Sequence, residues 1–361
     1  MPTCDFFAGS YADARAKFRE AAYEARAELD VFEHPTRRGP AGDSLSIDVA
    51  FVGSHDAHRC LLLTSGVHGV EGFAGSGCQV GFFKDRLYDL LECNTCALIV
   101  HALNPYGFAW LRRVNEDNVD LNRNFQDFSR PLPRNDEYAF LHELLVPKEW
   151  NGASRLAADS GIKQYVAIHG SAAFQSAVSA GQYTHQNGMF YGGVAQAWST
   201  QTLRHIVATL VPRTATRLVA LDLHTGLGPN GYGEPIFDGG GAREFERAVA
   251  FFGPEVVSTG AGNSVSAVVT GSIGSALATW FRGEVTYLAI EFGTKSLADV
   301  LTALRGDHWC YATAPFTSSR DEQITQNLRD AFYVETPSWQ AAVYGRTVDF
   351  IVRAARALAQ P

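Results

Sequence analysis

The chain has 361 residues, 46% of them hydrophobic and 19% charged, with a formal net charge of −8. That composition describes a globular protein with a sizeable core, long enough for one large α/β domain or two ordinary ones. The acidic balance and the lack of a basic block argue against nucleic acid or an anionic membrane as partner. No apolar run approaches the roughly 20 residues of a membrane span. Met1 to Asp5 shows no basic-then-apolar leader, so no secretory signal is expected. Six cysteines in such a chain suit reduced thiols in a cytoplasm better than a disulfide scaffold.

Taken in order, Tyr11 to Leu29 is rich in Ala, Glu and Arg with apolar residues at helical spacing, and Ser10 is its N-cap. Glu33 to Gly42, with two prolines and two glycines, reads as a loop. Leu45 to Val52 and Cys60 to Thr64 read as strands. The second leads into Ser65-Gly66-Val67-His68-Gly69-Val70-Glu71-Gly72, a glycine-rich turn carrying an imidazole and a carboxylate three residues apart. Both are groups that Zn²⁺ accepts, and glycine lets such a turn fold tightly enough for them to converge.

Phe73 to Leu91 is predicted helical and Ala97 to Leu103 a strand. Cys93 and Cys96 form a lone Cys-x-x-Cys; a zinc ribbon needs a second pair, so two reduced cysteines beside a strand is the favoured reading. From Asn104 to Phe125 the chain lacks periodicity but is dense in Asn, Asp and Arg. Arginines gathered in one loop suit a carboxylate, because guanidinium offers a planar fork of donors; a solvated surface loop is the other reading. Helices are expected at Asn135 to Leu145, across most of Ala153 to Ala180, and at Ala195 to Leu210, with a hairpin-like loop at Gln182 to Gly193. His169 reads as a packed or surface histidine.

Arg217 to His224 is a strand that ends on Asp222 and His224, two apart and so on one face, followed by a loop through Gly233. Helices are predicted at Ala242 to Phe252, Ser272 to Phe281, Leu297 to Leu304, Arg320 to Phe332 and Ser338 to Ala359. Ser258 to Gly271 is small, polar and irregular, and Glu284 to Glu291 is a strand ending on a carboxylate. Strands alternate with helices throughout without repeat or linker. The chain therefore reads as a single α/β domain over residues 1–361, with a mixed, mostly parallel central sheet flanked by helices.

His68, Glu71, His224 and Glu291 all fall at or just past strand ends, where open α/β sheets bind their ligands. Two histidines and a carboxylate make a three-ligand site for one Zn²⁺, and Glu291 is then placed to act as general base. His68-x-x-Glu71, Asn104-Pro105-x-Gly107, Arg113-x-Asn115, Asp120-Leu121-Asn122-Arg123-Asn124-Phe125, His224 and Glu291, in that order, resemble the zinc carboxypeptidase superfamily. The stretches SGVHGVEGFAGSG, GQY…GMFYGG, DLHTGLGPNGYGE and IEFGT are similar to a mainly microbial branch of it.

The resemblance implies zinc on His68, Glu71 and His224, and Asp120 accepting a hydrogen bond from His68. It makes Glu291 the general base, Arg113 the group that polarises the scissile carbonyl, and Asn122 and Arg123 the pair that holds the substrate's terminal carboxylate. Tyr232 stands in for the mobile tyrosine of carboxypeptidase A-like enzymes, although its neighbourhood departs from theirs. The implied activity is cytoplasmic, metallocarboxypeptidase-like hydrolysis of an amide next to a free carboxylate, on a small peptide substrate. Alternatives are an N-acyl-amino-acid amidohydrolase of the aspartoacylase-like type and a non-catalytic binding protein on the same fold. A serine hydrolase is disfavoured, since neither Ser76 nor Ser272 sits in Gly-x-Ser-x-Gly. Nothing in the sequence fixes side-chain preference or oligomeric state.

Overall fold

Eight strands form one sheet in the order β1-β2-β4-β3-β5-β8-β6-β7, in a computed structural model that describes residues 2–261, 264–313 and 322–360. The strands are β1 (Glu28–Arg38), β2 (Ser44–Val52), β3 (Arg59–Ser65), β4 (Thr95–His101), β5 (Arg217–Asn230), β6 (Gly233–Phe237), β7 (Val257–Ser258) and β8 (Glu284–Gly293). The centre, β4-β3-β5-β8, is parallel throughout, while β1, β2 and β6 join antiparallel. Parallel neighbours need crossovers, and the helices between them supply these.

Strand alternation splits the core in two. Leu61, Leu63, Ala97 and Ile99 face one side, with Phe18, Phe82, Val343 and Phe350 from the helices Tyr11–Glu24, Gly72–Lys84 and Pro337–Ala359. Cys60, Leu62, Leu98 and Val100 face the other, against Leu203 and Ile206 of Trp198–Leu210 and Leu277 of Ile273–Trp280. A third apolar cluster joins the helices Asp136–Leu145, Ala153–His169, Ser171–Ser179, Leu297–Thr313 and Glu322–Phe332, and Val70, from the turn just past β3, packs within it.

Two sequence expectations fail here. Of the loop expected at Glu33 to Gly42 only Gly39 to Gly42 turns: β1 runs through Pro35 to Arg38, and its register shifts between Glu33 and Arg38. An edge strand tolerates proline and exposed charge because one of its sides needs no partner. Its start also shortens the first helix, which stops at Glu24, and Arg26 turns the chain at a φ of 59°. The loop expected after His224 is instead extended chain, since β5 continues to Asn230 and turns into β6.

Elsewhere the differences are small. The helix expected to Leu91 ends at Lys84, and a short 3₁₀ turn follows at Leu87–Leu90. Gly170, with a φ of 87°, divides Ala153–Ala180 into two helices. Cys93 is exposed and Cys96 buried. Residues 320 and 321 of one predicted helix, and 262 and 263 of the irregular segment, lie outside the described residues. Among the described residues no helix is long and apolar enough to cross a membrane.

Candidate metal centre and its cavity

Past β3, Gly66 takes a φ of 65° and His68 is extended before the 3₁₀ turn Gly69–Glu71. The Gly69 and Val70 amides donate to the carbonyls of Arg113 and Arg112 at 3.0 Å each. This binds the turn to the Asn- and Arg-rich segment. A Cβ on Gly69 would lie 2.0 Å from the Gly107 carbonyl carbon, so only glycine permits that approach.

The segment itself is folded by its own polar side chains. Asn104 accepts from the Gly107 amide at 2.8 Å and donates to the Arg113 carbonyl at 3.2 Å. Asn118 donates to the Gln186 and Gly188 carbonyls, and Asn124 accepts from the Ala197 amide and the Thr200 hydroxyl. Arg112 is buried against Asp307 at 3.0 Å. Buried amide and guanidinium groups here replace secondary structure as partners for the backbone, so the surface-loop reading does not hold.

Three groups converge from β3's turn and from β5. Glu71 Oε1 lies 2.9 Å from His68 Nδ1, and Glu71 Oε2 lies 3.2 Å from His224 Nδ1. All three residues are buried, and their ligand atoms lie within 4.8 Å of one another. Each imidazole is anchored at its far nitrogen: His68 Nε2 is 3.0 Å from Asp120 Oδ1, and His224 Nε2 is 2.6 Å from Asp222 Oδ2. With each Nε2 turned to those carboxylates, each Nδ1 is the nitrogen that faces Glu71. His68 Nδ1 is buried and, though 2.9 Å from Glu71 Oε1, makes no hydrogen bond of good geometry. Two imidazole nitrogens and a carboxylate, all buried and converging, are the donor set a zinc ion takes, so the residues fit one.

Charge is balanced tightly around them. Burial pushes the Glu71 carboxyl up, but His68, His224 and Arg113 outweigh it and hold it well below the usual carboxylate range. Asp120 is likewise held low against burial by Arg113, His68 and Arg123. Burial lowers the His224 imidazole, yet Asp222 and Glu71 raise it well above its ordinary value. Arg113 reaches Glu71 Oε1 at 2.8 Å and Asp120 Oδ2 at 3.2 Å.

Glu291 stands opposite His224 in the β5–β8 pairing, and its Oε1 accepts from the Leu227 amide at 2.9 Å. Burial, then repulsion from Glu71, pushes its carboxyl up to about 7. Together with His68 and His224 it faces a cavity of about 140 Å³. Arg113, Asn122 and Arg123 line the same cavity. Asn122 is fixed by accepting from the Ile273 amide at 3.1 Å. Arg123 is buried and donates to the Ser179 and Asn122 carbonyls through three nitrogens.

Eight of the nine residues singled out from the sequence therefore meet in one place. Tyr232 does not: it lies in the β5–β6 turn, 43% exposed, with Arg346 over its ring at 5.6 Å, and it is no part of the cavity wall. The extension of β5 into β6 ties that turn to Gly293, whose carbonyl accepts from the Gly231 amide and whose amide donates to the Tyr232 carbonyl. Sequence reasoning placed Asp222 on one face with His224 but gave it no role, and it missed Asp238, a cavity-lining carboxyl just past β6. Burial pushes the Asp238 carboxyl up, partly offset by hydrogen bonds from Ser272 and the Gly239 amide and by the charge of Arg123.

A family model described as "Protein of unknown function (DUF2817)" matches residues 7–346. No curated protein matches the chain. Among solved structures, carboxypeptidase A from Helicoverpa armigera is similar at 13% identity over 94% of this chain and 73% of that one, with a TM-score of 0.40. A metallo-carboxypeptidase from Burkholderia cenocepacia is similar at 12% identity, 96% and 69% coverage and a TM-score of 0.40. An aspartoacylase family protein from Mesorhizobium loti is similar at 14% identity, 74% and 61% coverage and a TM-score of 0.35. Superpositions this loose assign no activity.

Proposed function

The chain belongs to the family described as "Protein of unknown function (DUF2817)", and within it we propose a metal-dependent hydrolase that cleaves an amide bond beside a free carboxylate. The observation that carries this reading is the convergence of His68, Glu71 and His224 within 4.8 Å, beside a cavity that Glu291 also faces. His68, Glu71 and His224 would hold the ion. Bound there, zinc supplies a Lewis acid and makes hydroxide accessible near neutral pH.

The chain's own residues then divide the work. Glu291, facing the cavity beside His68 and His224, takes the proton of the attacking water and returns it to the leaving amine. Arg113 stays cationic between Asp120 and Glu71 and stabilises charge developing on the carbonyl oxygen. Arg123 spends three nitrogens' bonds on backbone carbonyls, which fixes the plane of its fork, and its remaining N–H groups with Asn122 receive the substrate carboxylate. Asp120 orients His68.

The test is Glu291→Gln in the zinc-loaded protein, assayed on a panel of dipeptides and N-acyl amino acids. Turnover should fall by about 10³-fold or more while zinc content stays unchanged. Turnover equal to the parent's would remove Glu291 as the base, and the preferred half of the panel separates a peptidase from an acyl-amino-acid hydrolase.

A further inference from the structure

The stretch Gln182 to Gly193 has no part in the chemistry above, yet it places one side chain in the cavity. Phe190 is buried, lines the cavity wall and takes a φ of 52°, a left-handed backbone that a bulky residue keeps only when its surroundings fix it. They do. The Met189 amide donates to the Tyr138 hydroxyl at 2.6 Å, and the Phe190 carbonyl accepts from the Gln182 amide at 3.1 Å. The Tyr191 carbonyl accepts from the Asp120 amide at 2.8 Å, which ties the strained residue to the carboxylate behind His68.

Arg113 and Arg123 both stand over the Phe190 ring, each with its guanidinium carbon 5.4 Å from the ring centroid. Among the described residues Asp120 is the only carboxylate within 4.0 Å of both, at 3.2 Å from Arg113 and 4.0 Å from Arg123. Burial pulls the Arg123 guanidinium below its ordinary range; Asp120 opposes that, and the like charge of Arg113 adds to it. A second carboxylate would relieve the repulsion but would occupy N–H groups that the substrate needs. An aromatic face carries negative charge and occupies none.

We propose that Phe190 is a positioning residue whose ring face steadies Arg113 and Arg123 side by side while leaving their N–H groups to the substrate. This rests on the amide-hydrolase reading and adds a residue to it. Arg113 has a second ring, Phe332, at 5.8 Å, whereas among the described residues no other ring stands over Arg123. Loss of the Phe190 face therefore falls chiefly on Arg123, and so on capture of the substrate carboxylate.

The experiment replaces Phe190, in the zinc-loaded full chain, by phenylalanine carrying one, two or three ring fluorines, which drain the ring face and leave its shape nearly unchanged. KM for a substrate with a free carboxylate should rise with each fluorine, by about three- to tenfold at the third, while kcat falls less than about threefold. KM for the matching carboxamide and the zinc content should stay unchanged. Phe190→Leu, which fills the space without a π face, should match the trifluorinated ring. A flat series would make the ring a filler of space and overturn the proposal, as would an equal rise on acid and carboxamide. Calorimetry with free L-leucine reads Arg123 without turnover, and its affinity should fall along the same series. Equal affinities across the series would overturn the proposal. A fall in a protein that cleaves no amide would instead remove the hydrolase reading and leave the role of Phe190 standing; a parent that neither binds leucine nor cleaves an amide would overturn both.

Discussion

His68 and His224 are held alike, each with Nε2 on a carboxylate and Nδ1 turned to Glu71. Asp222 is itself fixed by the Thr64 hydroxyl at 2.6 Å and the Tyr287 hydroxyl at 3.1 Å. A carboxylate behind a ligating imidazole sets its tautomer and raises its basicity. Asp222→Asn should therefore weaken zinc binding by about 10- to 100-fold in a competitive chelator titration. An unchanged affinity would make Asp222 a packing residue only. The sequence placed Asp222 and His224 on one face through strand periodicity. It could not name Thr64 and Tyr287 as partners, because they come from β3 and β8 and depend on sheet register. Asp120 lies 52 residues from His68, and only the family resemblance connected them.

At the scale of elements, glycine separates positions that define the site from positions that are merely allowed. Gly69 abuts the Gly107 and Phe108 backbone, which cannot yield as a flexible side chain can. Gly69→Ala should cost about 1–3 kcal/mol in denaturant unfolding and disturb zinc binding, because the turn carries both His68 and Glu71. Gly345 sits exposed inside the helix Pro337–Ala359, where an added methyl would meet nothing within 4 Å. Gly345→Ala should stabilise by about 0.5–1 kcal/mol. The reverse ranking of the two variants would contradict the packing described here. Buried central strands were legible as apolar runs, whereas β1 was not: its charges and Pro35 carry the chemistry of a loop, and only pairing with β2 makes it a strand.

Over the whole molecule, buried titratable groups set how stability varies with pH. Burial lowers His101 to about 4 and His308 to about 3, so each is kept neutral in the fold. Their contribution is present above the unfolded value of about 6.5 and is lost as pH falls toward those folded values. Glu291 works the other way: raised to about 7, it binds a proton more readily folded than unfolded, so its contribution shrinks as pH rises from about 4.5 to 7. In metal-stripped protein, Glu291→Gln should steepen the rise of Tm between about pH 5 and 6.5; an identical slope would mean that Glu291 titrates normally. Every role assigned above depends on His68, Glu71 and His224 forming one zinc site. The most direct test is metal content by mass spectrometry after stripping and reconstitution, in the parent and in His68→Ala and His224→Ala. The parent should retain about one zinc per chain through gel filtration and each variant should lose it; a parent that retains none, or variants that keep it, would contradict the claim.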